Sequence, residues 1–167
     1  LEPEGKLSLR STGSLLVDGS LVVPGGEIDL AVTAPPSKID PFFLRDQVLW
    51  LGPDARLSAN GVAEVLVNDQ GVRSGRVVSG GDISVVAKRG YLVTDPNSLI
   101  EVNGVSAPVD RVIDVTGASR SANIFGQLQE AEGVQLVHET VHAPAGSIRL
   151  QSSEGVFLEG TLSAQAA

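Results

Sequence analysis

The chain has 167 residues and a net charge of −8, from 12 basic against 20 acidic side chains. That balance argues against a general nucleic-acid or anionic-membrane binder, because both need a basic footprint. Cysteine is absent, which excludes disulfides, Cys-based zinc sites and Cys nucleophiles, and no apolar run approaches the roughly 18 residues of a membrane span.

The core must be aliphatic, since 42% of residues are hydrophobic and only 4% aromatic. Nineteen glycines and nine prolines imply many turns and favour an all-β chain. Methionine is missing even at position 1, so the sequence reads as a processed chain or an excised piece of a longer one.

Residues 5–32 alternate at period two. Leu7 and Leu9, Leu15 and Val17, Leu21 and Val23, Ile28, Leu30 and Val32 are apolar, with Gly13, Gly19 and Gly25-Gly26 between them. Strands this short fit the sides of a parallel β-helix better than a sandwich of hairpins. Residues 33–47 break the rhythm, because Pro35-Pro36 and Pro41 exclude regular helix and central strand. They predict a loop insertion whose Phe42-Phe43-Leu44 folds back on the body.

The alternation resumes at Val48-Leu49-Trp50-Leu51 and turns at Gly52-Pro53-Asp54. Residues 64–78 then predict a β-hairpin with a polar tip at Asn68-Asp69-Gln70-Gly71. A further strand ends at Asn103-Gly104. Residues 105–144 form a third insertion, the least regular, with loop at Pro108 and at 116–123. Its one helical turn would be Ile124 to Glu132, weakened by Gly126, and Val134 to Val141 read as strand.

Two recurrences set the register. Gly26-Glu27-Ile28-Asp29-Leu30, Gly81-Asp82-Ile83-Ser84-Val85 and Gly146-Ser147-Ile148-Arg149-Leu150 share one pattern, with Ile148 and Leu150 inward and Ser147 and Arg149 outward. A second tag, apolar-any-small apolar-polar-Gly, ends at Gly19, Gly61, Gly104 and Gly117. The expected structural corners are Gly26, Gly81, Gly146, Gly61, Gly104 and Gly117, with Asp-Gly and Asn-Gly supplying positive φ. Spacings of 55 and 65 residues between the Gly26, Gly81 and Gly146 copies are uneven. Uneven spacing favours a right-handed helix tolerant of insertions over a strict hexapeptide one. At roughly 20–25 residues per coil, about five to seven coils are expected after allowing for the insertions, in a rod of about 25–35 Å.

The run from Leu49 through Gly61, then the hairpin, Gly80 to Val85 and Gly90-Tyr91-Leu92-Val93, resembles the large exoproteins of the filamentous haemagglutinin family. The stretch from Ala145 to Leu150, with Gly155 to Leu162, is similar again. The likeness covers residues 45–164, and 5–32 fit it more loosely. It implies one right-handed parallel β-helix segment from a secreted bacterial surface protein, exported through an outer-membrane transporter partner. Its implied role is adhesion to a host-cell surface protein or glycan, or service as a stalk. No enzymatic activity, cofactor, nucleic acid or membrane insertion is implied, and the piece is expected as a monomeric part of a longer rod.

Three features invite chemistry. His138-Glu139-Thr140-Val141-His142 matches the H-E-x-x-H pattern of zinc hydrolases, which requires a helix. Its β-branched content, Gly133 and Pro144 oppose one. As a strand it would put His138, Thr140 and His142 on one face, a surface stripe. Asp110 with Asp114, or Asp40 with Asp46, are the carboxylate pairs a polysaccharide-cleaving β-helix enzyme would use, but they lie in unrelated places and read as solvated charge. Trp50, Tyr91 and Phe157 fall in related places and read as an aromatic stack, inside the coil or on one flank, rather than a sugar platform. No catalytic, cofactor-binding or metal-ligating residue is assigned.

Overall fold

In a computed structural model the described residues are 3–33, 47–114, 120–122, 128–130 and 134–167. They are all-β; among them there is no helix, and so none long and apolar enough to cross a membrane. The expected insertion at 33–47 and the expected corner Gly117 lie outside the described residues, apart from Thr33 and Gln47.

Twelve strands make three parallel sheets. The first contains β1 (Lys6–Ser11), β4 (Glu27–Val32), β9 (Asp82–Ala87) and β16 (Ser147–Ser152), paired in that order. The second contains β2 (Leu15–Val17), β5 (Val48–Leu51), β10 (Tyr91–Thr94) and β17 (Gly155–Leu158). The third contains β3 (Ser20–Val22), β6 (Arg56–Ser58), β11 (Leu99–Glu101) and β18 (Thr161–Ser163). The chain therefore visits first, second and third sheet in turn and repeats the circuit. There are four such passes among the described residues, fewer than the roughly five to seven expected even after allowing for insertions, because an uninterrupted pass takes 21 residues, from Lys6 to its partner Glu27, and the arms take more of the chain than that allowance gave them.

Side-chain alternation decides what the sheets enclose. Leu7, Ile28, Ile83 and Ile148 stand in register, as do Leu9, Leu30, Val85 and Leu150. Opposite them Leu49 and Leu92 of the second sheet and Leu57 and Ile100 of the third complete one aliphatic core. Ile28, Leu30, Leu49 and Leu57 are fully buried, each contributing about 1.5–3 kcal/mol. Gly5-Lys6-Leu7-Ser8-Leu9 is a fourth copy of the glycine-led motif, which the sequence reading passed over.

The glycine corners hold for a different reason from the one expected. Positive φ occurs at Gly25, Gly71, Gly75 and Gly90, and not at Gly26, Gly81, Gly146, Gly61 or Gly104. At Gly26, Gly81 and Gly146 glycine is needed because successive passes approach too closely for a side chain. A Cβ on Gly81 would collide with the carbonyl oxygen of Gly26, and one on Gly146 with that of Gly81. The second tag is not one register either. Gly61 and Gly104 follow β6 and β11 at equivalent places, whereas Gly19 follows β2 at another corner. The true first-pass counterpart of Asn60-Gly61 is Pro24-Gly25, since Gly25 N–H donates to Asn60 and Gly61 N–H to the Asn103 carbonyl. Asn60 and Asn103 add side-chain bonds: Asn60 Oδ1 accepts from Asn103 N–H at 2.7 Å, and Asn103 Oδ1 from Gln165 N–H at 2.9 Å.

Candidate interaction surface at one corner

The corner from the third sheet to the first is crossed three times. From β3 to β4 it is closed by Val23-Pro24-Gly25-Gly26 alone. From β6 to β9 it carries β7 (Val62–Val67) and β8 (Arg73–Val78), an antiparallel pair. From β11 to β16 it carries β12 (Val105–Asp114) and β15 (Val134–Ala143), a longer antiparallel pair, and the small ribbon β13 (Arg120–Ala122) with β14 (Leu128–Glu130). Two arms thus leave the body at one place, one pass apart.

The first arm begins two residues before its expected start. Its tip is built by Asn68, whose Oδ1 accepts from Gln70 and Val72 N–H at 3.0 and 2.9 Å, while Gly71 takes the left-handed turn at φ 79°. Arg76 spans from Glu64 on the same arm to Glu4 near the start of the chain, each at 2.7 Å. Leu66 and Val67 stand exposed beyond it.

The second arm corrects the sequence reading twice. Pro108, expected in loop, lies inside β12, in a two-stranded ribbon whose outer edge needs no ladder bond. Leu128 to Glu130, expected in a helical turn, are strand β14, because pairing with β13 outcompetes so short and glycine-weakened a helix. The rest of that expected turn, apart from these three residues, lies outside the described residues.

The arms dock on each other through β8 and β12. Asp110 of β12 is the contact: its side chain is 0% exposed and its Oδ2 accepts from the Arg73 backbone N–H at 2.7 Å, with the Arg73 guanidinium 3.8 Å away. His138, directly across from it on β15, places Nδ1 2.5 Å from the other carboxylate oxygen. The Arg73 N–H, then His138, hold the Asp110 carboxyl below its ordinary pKa against the opposing effect of burial. Burial alone would raise the carboxyl of Glu101 in the body. Hydrogen bonds from Arg56, Asn60 and Ser58 outweigh it, so that pKa also falls.

Each chemical temptation now has a place. His138 and His142 lie on a strand, not a helix, four residue steps and about 13 Å apart along the backbone. His138 Nδ1 is taken up by Asp110, and the helical presentation of both rings that the H-E-x-x-H pattern needs is not formed. Among the described residues no group of three His, Asp or Glu is placed to hold a metal ion. Asp110 is occupied by Arg73 and His138, and Asp40 and Asp46 lie outside the described residues. Trp50 and Phe157 both align with Val93 on the outer face of the second sheet, and Tyr91 stands one side-chain step away on the same face. Tyr91 and Phe157 rings are 5.9 Å apart and tilted 44°. Trp50 Nε1 donates to Asp95 Oδ1 at 3.1 Å. The aromatics therefore line one flank rather than the core.

The arm-to-arm contact was not visible in sequence. Arg73 and Asp110 are 37 residues apart, and neither belongs to a repeat. The aromatic alignment was visible, because Trp50, Tyr91 and Phe157 hold related places in the repeating sequence. Compared with family models, with curated proteins and with solved structures, the chain matches none.

Proposed function

We propose that this chain is a right-handed parallel β-helix segment of a large secreted bacterial surface protein of the filamentous haemagglutinin kind, a rod whose projecting arms attach to host cells. The body supplies length and stiffness, and the arms supply recognition of a surface protein or glycan. Export through an outer-membrane transporter partner and display at the cell surface follow from the same reading, as does the absence of an enzymatic role. The observation that supports it best is the combination of three parallel ladders visited in constant order with two hairpins leaving at one corner. A rod needs only the ladders. Arms that vary at a fixed corner, the first with a polar tip and exposed Leu66 and Val67, are what a recognition surface needs.

The test is attachment of beads coated with the chain to cultured host cells, with the arm at 105–144 intact or replaced by a two-glycine joint like that at Gly25-Gly26. Binding should fall to background when the arm is removed while the far-ultraviolet spectrum of the body persists. Undiminished attachment would remove the arm from the proposal, and cleavage of a polysaccharide panel by the intact chain would overturn the non-enzymatic reading.

A further inference from the structure

We propose that the outer face of the first sheet carries a binding cleft for short acidic oligosaccharides, engaging their carboxylates. The inference deepens the adhesive reading and rests on it for its biological setting, although the cleft is argued from its own geometry. A recess of about 330 Å³ crosses all four strands of this sheet. Its floor is Ala31 and Val86, adjacent in register, whose short side chains leave a hollow between taller neighbours. Arg10 on β1 and Arg149 on β16 stand toward its two ends, and Lys88, just past β9, lies along its side.

The charge in the recess runs against that of the whole molecule. Elsewhere on this face cations are matched, as in Lys6 with Glu27 at 2.6 Å. Within the recess Arg10 is matched by Asp29 at 3.0 Å. Lys88 and Arg149 have no carboxylate partner among the described residues; the Arg149 guanidinium donates to Gln151 Oε1 at 2.8 Å. Two unmatched cations around a small apolar floor, on a chain of net charge −8, form a local site for an anion.

Its shape selects the anion. Arg149 pairs in register with Ser84, four residues before Lys88, so the two unmatched cations are rooted about 14 Å apart at about 3.3 Å per residue and about 4.8 Å per ladder step. Side chains rooted that far apart and standing off the sheet do not converge on one small anion, whereas a chain of acidic sugars places carboxylates along the same line. A guanidinium fork takes a carboxylate through two parallel hydrogen bonds. Thr33 and Gln151 offer partners for ring hydroxyls, and the Ala31–Val86 floor suits the C–H face of a pyranose. The volume lies at the low end of small-ligand sites, about 300–1,000 Å³.

Titration of trigalacturonate into the 167-residue chain, followed by amide NMR shifts, tests the assignment. Saturable shifts are expected around Ala31 and Val86, with affinity falling as salt rises. Arg149→Gln and Lys88→Gln should each weaken binding about fivefold or more. Lys6→Gln, on the same face beyond the recess, should leave binding unchanged, and unaltered spectra elsewhere check that the variants fold. Equal binding of the neutral methyl ester overturns the proposal, as does indifference to both substitutions. Inorganic phosphate binding as tightly as the trisaccharide would mean an adventitious ion only, and tighter binding of a sulfated trisaccharide would overturn the carboxylate assignment. The readout is independent of cells. A chain that binds trigalacturonate but adheres to nothing keeps the cleft and loses the adhesive reading; a chain that adheres but ignores the saccharide does the reverse.

Discussion

The body and the arms are both β-structure, yet they are held by different physics. In the body each strand pairs in parallel with the strand one pass away, and the residues that matter are glycines and aliphatics in columns. In the arms strands pair antiparallel within the same arm, and where the arms meet a buried carboxylate accepts from a backbone N–H and faces a guanidinium of the other arm while an imidazole of its own arm holds its second oxygen. A column is unforgiving, because every pass repeats the same close approach. An arm needs only to return to the corner it left.

The comparison is broken most severely at a glycine column. Gly81→Val should cost about 3 kcal/mol or more, since its side chain must displace the Gly26 backbone rather than a flexible neighbour. On a fold of ordinary stability, about 5–15 kcal/mol, that removes a large share of the whole. The measurement is the urea midpoint, and a midpoint at the wild-type value would show that the column is not tight. Next comes Ile83→Ala, which empties a fully enclosed site and should cost about 2–5 kcal/mol in the same assay.

Acid separates the two regions more gently. The folded carboxyls of Asp110 and Glu101 have lowered pKa values. Their contribution is therefore complete above the unfolded carboxylate pKa, about 4, and is lost as pH falls through the lower folded values. Hydrogen exchange at the Arg73 amide should accelerate in that window before amides of β4 and β9 do, because the arm contact opens ahead of the body. Simultaneous loss would mean that arms and body unfold as one unit. Asp110→Asn should speed the same amide at neutral pH. Smallest of all is Lys6→Ala, which removes an exposed ion pair and should cost about 0–1 kcal/mol of stability in the urea assay.

The sequence carried the body's register because that register is repetitive. Ile28, Ile83 and Ile148 could be aligned by eye, since one geometry was imposed three times. What it concealed was the reason for the glycines. A dipeptide such as Asn60-Gly61 looks like a positive-φ corner, and only the returning arm reveals that room for the Val78 carbonyl, not backbone handedness, excludes a side chain. Asp18-Gly19 matched the tag by composition but stands at another corner, where Asp18 Oδ1 accepts from the Asp54 N–H at 3.0 Å. The Asp110 contact was illegible for the opposite reason: it occurs once, between segments whose meeting depends on where each arm leaves the body. The cationic recess was hidden likewise, because Arg10, Lys88 and Arg149 converge only once the passes are laid side by side.

The closed corner at Pro24-Gly25-Gly26 has a practical consequence. Gly25 already lies against Val78 at the root of the first arm, so a peptide grafted between Gly25 and Gly26 would emerge beside β8. The molecule is in that sense a display scaffold with two positions filled and one vacant, where a guest epitope could be presented next to native loops without rewriting the columns beneath.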